Sequence, residues 1–153
     1  MGTDRGKILE EFLEVVSRSD VARLEEYLAP DYVEVYPQSG ERVVGVANLR
    51  AIIEHYPGGL APGYLDADHA RIIGAEEEYV LGPSLSVVHV AGSGDTWTVV
   101  ALGRWPDGSL WHTVAVAEFR GDRIRRITEY FAPELPAPEW RSEWVQRLES
   151  DEH

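Results

Sequence analysis

The feature that most constrains this chain is a series of closely spaced turns in its second half. Ser93-Gly94-Asp95, Pro106-Asp107-Gly108-Ser109 and Arg120-Gly121-Asp122-Arg123 separate three runs rich in β-branched and aromatic residues: 96–105, 110–119 and 124–131. Runs joined by turns this short pair antiparallel with their neighbours, because a parallel return needs a crossover of about a dozen residues or more. The spacing therefore predicts a meander of three long strands. Strands over 68–73 and 79–90 are expected to precede it.

The first third has a different period. Ile8, Leu9, Phe12, Leu13, Val15 and Val16 recur at three-to-four spacing, which predicts an amphipathic helix. Ser19-Asp20 opens a second short helix with the stripe Val21, Leu24, Tyr27 and Leu28, and Pro30 sits past its end as a stop. Tyr32–Tyr36 alternates as a strand, Pro37-Gln38-Ser39-Gly40 turns, and Arg42-Val43-Val44 returns. Helical spacing resumes from Val46 to Tyr56 and ends at Pro57-Gly58-Gly59. Trp140, Trp144 and Leu148, spaced by four, predict a last helix, with 149–153 frayed. Helices, a hairpin, a helix and then a meander make an α+β class, expected as one domain over 1–153.

Composition removes several function classes. There is no cysteine, hence no disulfide, thiolate metal site or cysteine nucleophile. The acidic residues number 27 against 14 basic ones, which argues against nucleic acid and anionic membrane as partners. No apolar run is long enough for a transmembrane helix, and a charged amphipathic start replaces a signal core, so a cytoplasmic location is expected. The five histidines show no ligand spacing, so no metal is expected. Gly92-Ser93-Gly94 lacks the spacing and the lysine of a phosphate loop. No cofactor is implied.

Two-residue turns at Asp107-Gly108 and Gly121-Asp122 would fix the strand register. They would place Trp97, Val99 and Ala101 on one face with His112, Val114, Val116, Glu118, Arg125, Ile127, Glu129 and Phe131. The other face would carry Val100, Leu102, Arg104, Trp111, Thr113, Arg126 and Tyr130. Both faces are partly apolar, so one should meet the helices and the other a second copy in a homodimer.

The chain resembles the SnoaL-like, nuclear transport factor 2-like superfamily of cone-shaped α+β domains. The resemblance rests on the helix pair before Ala29-Pro30-Asp31-Tyr32, the hairpin Tyr36-Pro37-Gln38-Ser39-Gly40-Glu41, Gly45-Val46-Ala47-Asn48-Leu49-Arg50, and Gly121-Asp122-Arg123-Ile124 with Glu129-Tyr130-Phe131-Ala132-Pro133. Ala137-Pro138-Glu139-Trp140-Arg141 is similar to an uncharacterised bacterial subgroup. The resemblance implies a curved, mostly antiparallel sheet with three to four helices on its concave face and a pocket between them. The superfamily spans ketosteroid isomerases, polyketide cyclases, limonene-epoxide hydrolases, dehydratases and non-catalytic modules, so fold does not settle activity. The isomerases' polar positions fall here on Tyr36, Phe12 and Val116 (or Ala115), so all three of their polar groups are missing and steroid isomerase chemistry is not expected. The epoxide hydrolases' last-strand acid matches Glu129 in Glu129-Tyr130-Phe131, while their arginine and second acid have no placed match. On this analogy the face with Glu129 points inward.

The candidate catalytic residues are Glu129, His112 and Tyr36. A carboxyl flanked by Ile127 and Phe131 should titrate high and suit acid–base work; imidazole titrates near neutrality; a phenol can hold a developing oxyanion. Against these stand a solvated strand glutamate, a sheet-edge histidine and an aromatic lining residue. Glu34 shares a strand face with Tyr36 and joins Phe12, Trp97, Val116 and Phe131 as candidate ligand-binding positions. Glu118 facing Arg125 reads as a cross-strand ion pair. The expected activity is cofactor-independent proton transfer on an apolar, oxygen-bearing small molecule: isomerisation, cyclisation, dehydration or epoxide opening. The alternative is a binding or dimerisation module with the same pocket and no chemistry.

Overall fold

The computed structural model describes residues 4–55, 84–104 and 110–148. The expected strand over 68–73, the start of the one over 79–90, Trp105 and the frayed 149–153 lie outside these residues. Helix α1 spans Arg5–Ser17, and the carboxylate of Asp4 caps it by accepting from the Lys7 N–H at 3.2 Å. A 3-10 turn, Val21–Arg23, runs into the short α2, Leu24–Tyr27. Strands β1 (Leu28–Tyr36) and β2 (Glu41–Val44) form the first hairpin, followed by α3 (Val46–Glu54). The meander is β3 (Ser84–Ser93), β4 (Thr96–Arg104), β5 (Leu110–Arg120) and β6 (Arg123–Pro133).

The six strands make one sheet in the order β2-β1-β6-β5-β4-β3. Strands β1 and β6 run parallel and the other described pairs antiparallel, so the α+β reading stands as a mixed, mostly antiparallel sheet. The helices gather on one face. Leu9 and Phe12 of α1, Leu24 of α2 and Leu49 of α3 share a buried cluster with Val99, Ala117 and Ile127 of the sheet. Arg5 secures the start of α1 to two sheet turns. Its guanidinium donates to the Gly121 and Gly94 carbonyls at 2.9 and 2.6 Å and to Asp95 Oδ1 at 2.6 Å.

Three expectations need correction. Strand β1 begins at Leu28, so Pro30 lies inside a strand rather than past a helix. It is tolerated because the β1–β6 register breaks between Leu28 and Val33, where no ladder donor is required of it. The C-terminal helix is reduced to a 3-10 turn over Glu139–Trp144, and its apolar residues are exposed.

The third correction concerns β5, which sits one residue away from its expected register on both sides. Arg104 pairs with Leu110, leaving 105–109 between them instead of a two-residue turn at Asp107-Gly108. The Gly121-Asp122 turn does form, with Arg120 opposite Arg123 and Gly121 at φ 62°. A bulge follows: Phe119 pairs with Ile124 but Glu118 with Arg126, so Arg125 is an extra residue on β6. Glu118 accordingly forms its ion pair with Arg126, at 3.5 Å, rather than with Arg125. Because strand side chains alternate, this slip exchanges the two faces of β5 while β4 and β6 keep theirs. The inner face of β5 is Thr113, Ala115, Ala117 and Phe119, all buried. His112, Val114 and Val116 are on the outer face.

Candidate functional site

Strand period places Tyr32, Glu34 and Tyr36 on one face of β1. Tyr32 and Glu34 are buried, and Tyr36 is partly exposed. Both phenols turn their hydroxyls onto the carboxylate between them: Tyr32 Oη donates to Glu34 Oε2 and Tyr36 Oη to Glu34 Oε1, each at 2.9 Å. Each carboxylate oxygen thus receives a phenol.

The parallel β1–β6 pairing brings a second carboxyl to the same place. Glu34 pairs with Ile127, and the next inward residue on β6 is Glu129, which hydrogen-bonds to Glu34. Burial and then the negative charge of Glu34 hold the Glu129 carboxyl well above the usual carboxylate range. The Glu129 carboxyl beside Glu34 is thus biased toward its protonated, neutral form. Burial, then the charge of Glu34, also pushes the Tyr32 and Tyr36 phenols far above their ordinary value, so both remain donors at any physiological pH.

The surroundings shape this group. Ala115 stands directly opposite Glu129 on β5 and is buried. Accessibility rises along both parallel strands in the same direction, from Tyr32 to Tyr36 and from Ile127 to Phe131. The carboxyl pair sits where closed core gives way to partly open surface. There the Tyr36 and Phe131 rings meet at 6.0 Å between centroids. Gln38 holds Phe131 by its backbone: Nε2 donates to the Phe131 carbonyl at 2.6 Å and Oε1 accepts the Phe131 N–H at 2.5 Å.

The structure thus brings together Glu129, Tyr36, Glu34 and Phe131 of the expected residues. Phe12 is buried in the core with its ring 6.3 Å from that of Tyr27. Trp97 packs against the core, and an added Cβ on Gly6 of α1 would come within 2.9 Å of its ring. His112 and Val116 were expected beside Glu129; the shifted register of β5 places them on the opposite face of the sheet, so they do not share its site. Two members went unnoticed in the sequence. Tyr32 was detectable from its two-residue spacing to Glu34 and Tyr36. Gln38 carried no signal, since its role depends on where β6 lies. Among the described residues no group of three or more His, Cys, Asp or Glu is placed to hold a metal ion.

Comparison with known proteins follows the fold. A family model described as a SnoaL-like domain matches residues 9–127. A search of curated proteins finds no match. Among solved structures, an NTF-2 like protein of unknown function from Burkholderia xenovorans LB400 is 27% identical with a TM-score of 0.71, covering 94% of each chain. A "putative ketosteroid isomerase" from Kribbella flavida DSM 17836 has a TM-score of 0.73 at 17% identity, covering 98% of this chain and 94% of that one. An NTF2-like protein of unknown function from Burkholderia pseudomallei K96243 has a TM-score of 0.64 at 18% identity, covering 85% and 92%. At those two identities the likeness is one of fold.

Proposed function

The chain belongs to the SnoaL-like domain family, and from that footing we propose that it binds an apolar, oxygen-bearing small molecule and moves a proton on it with the Glu34–Glu129 pair. The observation that carries this reading is a pair of neighbouring carboxyls at the edge of an apolar core, with Glu129 held well above the usual carboxylate range and Glu34 receiving two phenols. Two carboxyls of unequal affinity for a proton supply an acid and a base at one place.

Glu129, as the acid, gives its proton to a substrate oxygen. Glu34, as the base, takes one from a carbon beside a carbonyl, or from a water that attacks an epoxide carbon. The proton count then balances, and the shared hydrogen bond returns the proton from Glu34 to Glu129. Tyr36 can pass its O–H from Glu34 to the substrate oxygen as charge develops there. Tyr32, wholly buried, keeps its bond to Glu34 and fixes that carboxylate in place. His112 has no part in this scheme.

The test is isotope incorporation. The protein is incubated in D2O with a panel of apolar ketones, and in H2(18)O with cyclic epoxides, and the products are weighed by mass spectrometry. Label should enter at least one class with wild type. Glu34→Gln and Glu129→Gln should each reduce it on the order of 10²-fold or more. Label entering equally with both variants would overturn the assignment. Ligand binding without incorporation would establish a binding module instead.

A further inference from the structure

The sheet has an edge at β2, which pairs with β1 on one side and, among the described residues, with no strand on the other. The ladder shows which groups that edge leaves free. The Gly45 N–H donates to the Tyr32 carbonyl at 2.8 Å. Gly45 lies opposite Tyr32 by the register, so Val43 with Glu34 and Glu41 with Tyr36, two and four residues back along β2, are the hydrogen-bonded pairs of this antiparallel ladder. Arg42 and Val44 therefore turn their N–H and C=O groups away from β1. The Val44 carbonyl accepts from Asn48 Nδ2 of α3 at 2.8 Å. The Val44 N–H and both main-chain groups of Arg42 remain open to a further strand.

Helix α3 stands alongside this edge. Asn48, Ala51, Ile52 and His55 line, with the residues of β2, a groove of about 810 Å³. Ile52 on the helix and Val44 on the strand are 43% and 54% exposed. Charge singles out Arg42. In a chain with 27 acidic residues, Arg5, Arg23, Arg50, Arg120 and Arg126 each hold a carboxylate. Arg42 is exposed and holds none among the described residues.

We propose that this groove docks an extended segment of another protein, added antiparallel to β2, with an acidic residue opposite Arg42 and an aliphatic residue on each side of it. The partner residue opposite Arg42 exchanges both main-chain bonds with it, and the carbonyl two residues earlier in the partner accepts the Val44 N–H. Strand alternation puts the acidic side chain on the face of Arg42, where a carboxylate complements the guanidinium. The two flanking side chains point to the face of Val43, which is the helix side, and cover Ala51 and Ile52. A second copy of this chain does not suit the edge. Two β2 strands that paired the free groups of Arg42 would set Arg42 opposite Arg42, and like charges directly opposite destabilise a sheet.

The probe is a fluorescein-labelled peptide, Gly-Ser-Val-Glu-Val-Ser-Gly, titrated with the full chain and read by anisotropy. Wild type should bind it, and Arg42→Glu should weaken it about tenfold. The same peptide with Lys in place of Glu should prefer Arg42→Glu to wild type. Ile52→Ser should weaken the first peptide about fivefold, through lost apolar contact. Both side chains are exposed, so both variants should keep the wild-type circular dichroism. Methylation of the peptide's Glu N–H should weaken binding by a similar factor, because it removes a main-chain donor. At saturating peptide, hydrogen exchange should slow at the Arg42 and Val44 amides and stay unchanged at Val43, whose N–H is already held by β1. No binding at millimolar peptide, a charge swap without effect, equal binding of the methylated peptide, or unchanged exchange at Arg42 and Val44 would each overturn the proposal.

Discussion

The carboxamide of Gln38 grips the backbone of Phe131 through both its N–H and its carbonyl. The β1–β6 ladder has its last paired residues at Val35 and Thr128, and Gln38, from the turn after β1, then acts as a substitute peptide. This side chain continues a strand pairing that the backbone itself has abandoned. It holds Phe131 against Tyr36, the more exposed of the two phenols on Glu34.

Gln38→Ala should therefore act locally. The loss of two hydrogen bonds at an exposed site is expected to cost about 0.5–1.5 kcal/mol. Hydrogen exchange at the Phe131 amide should accelerate while that at Ile127 stays slow. Gln38→Glu should be worse than alanine, because a carboxylate would face the Phe131 carbonyl with no donor. Unchanged exchange at Phe131 in both variants would show that the grip is absent in solution.

Glu129 gives a stability that depends on pH. Its folded-state affinity for a proton is raised, so above the ordinary carboxyl value of 4.5 the unfolded chain loses this proton while the folded chain keeps it. The unfolded state then binds fewer protons, and stability falls as pH rises, by about 1.4 kcal/mol per pH unit for one proton until the folded group itself ionises. Glutamine at 129 can still donate to Glu34 and has nothing to ionise. Glu129→Gln should match wild type near pH 4 and exceed it at pH 8 in urea denaturation. A wild-type curve and a variant curve that stay parallel from pH 4 to pH 8 would refute the raised Glu129 carboxyl.

Tyr32→Phe deletes a hydroxyl without opening a cavity. It leaves one oxygen of the buried Glu34 carboxylate without its phenol, at a cost of about 1.5–3 kcal/mol, the range for a hydrogen bond to a charged group. The penalty should shrink in the background Glu34→Gln, where no charge needs the donor. Equal penalties in the two backgrounds, read from a double-mutant cycle, would mean that Tyr32 does not act through Glu34.

Gly6→Ala sets two effects against each other. Alanine gains up to about 1 kcal/mol over glycine within a helix. Its methyl would meet the Trp97 ring at 2.9 Å, and that ring is anchored by its Nε1–H donating to the Gly94 carbonyl at 3.3 Å. Overpacking of this kind costs about 1–3 kcal/mol, so the variant should melt lower than wild type. With Trp97→Phe, which shortens the ring, the same change should become stabilising. A higher melting temperature for Gly6→Ala alone would mean that the tryptophan yields freely.

Much of this fold was legible because its signals are local. The three-to-four spacing of Leu9, Phe12 and Leu13 gave α1. Gly94 and Gly121, both at positive φ, marked real turns. Register was less accessible, because the bulge at Arg125 has no distinct residue type and the connection over 105–109 contains an Asp-Gly that resembles a two-residue turn. One residue of slip was enough to join His112 wrongly to Glu129, while Trp97, Ile127 and Phe131 kept their faces. The carboxyl pair was hidden for another reason. Glu34 and Glu129 each stood out alone, but their contact requires β1 beside β6 in parallel, a long-range pairing that no neighbouring residue announces. The exposed C-terminal tryptophans were spaced as a helix would need, but spacing alone could not say whether anything in the chain would cover them.

Strand β6 lies between β1 and β5, so it is the keystone of the sheet although it comes last in chain order of the six described strands. During synthesis the chain must hold β2-β1 and β5-β4-β3 as separate pieces, each with a bare edge awaiting the same insertion. Gln38 and its partner Phe131 stand 93 residues apart, and the two carboxyls are farther apart still along the chain. A ribosome-bound fragment that stops before β6 therefore has Glu34 without Glu129, and two edges exposed to aggregation. The carboxyl pair comes into being only once β6 has been made.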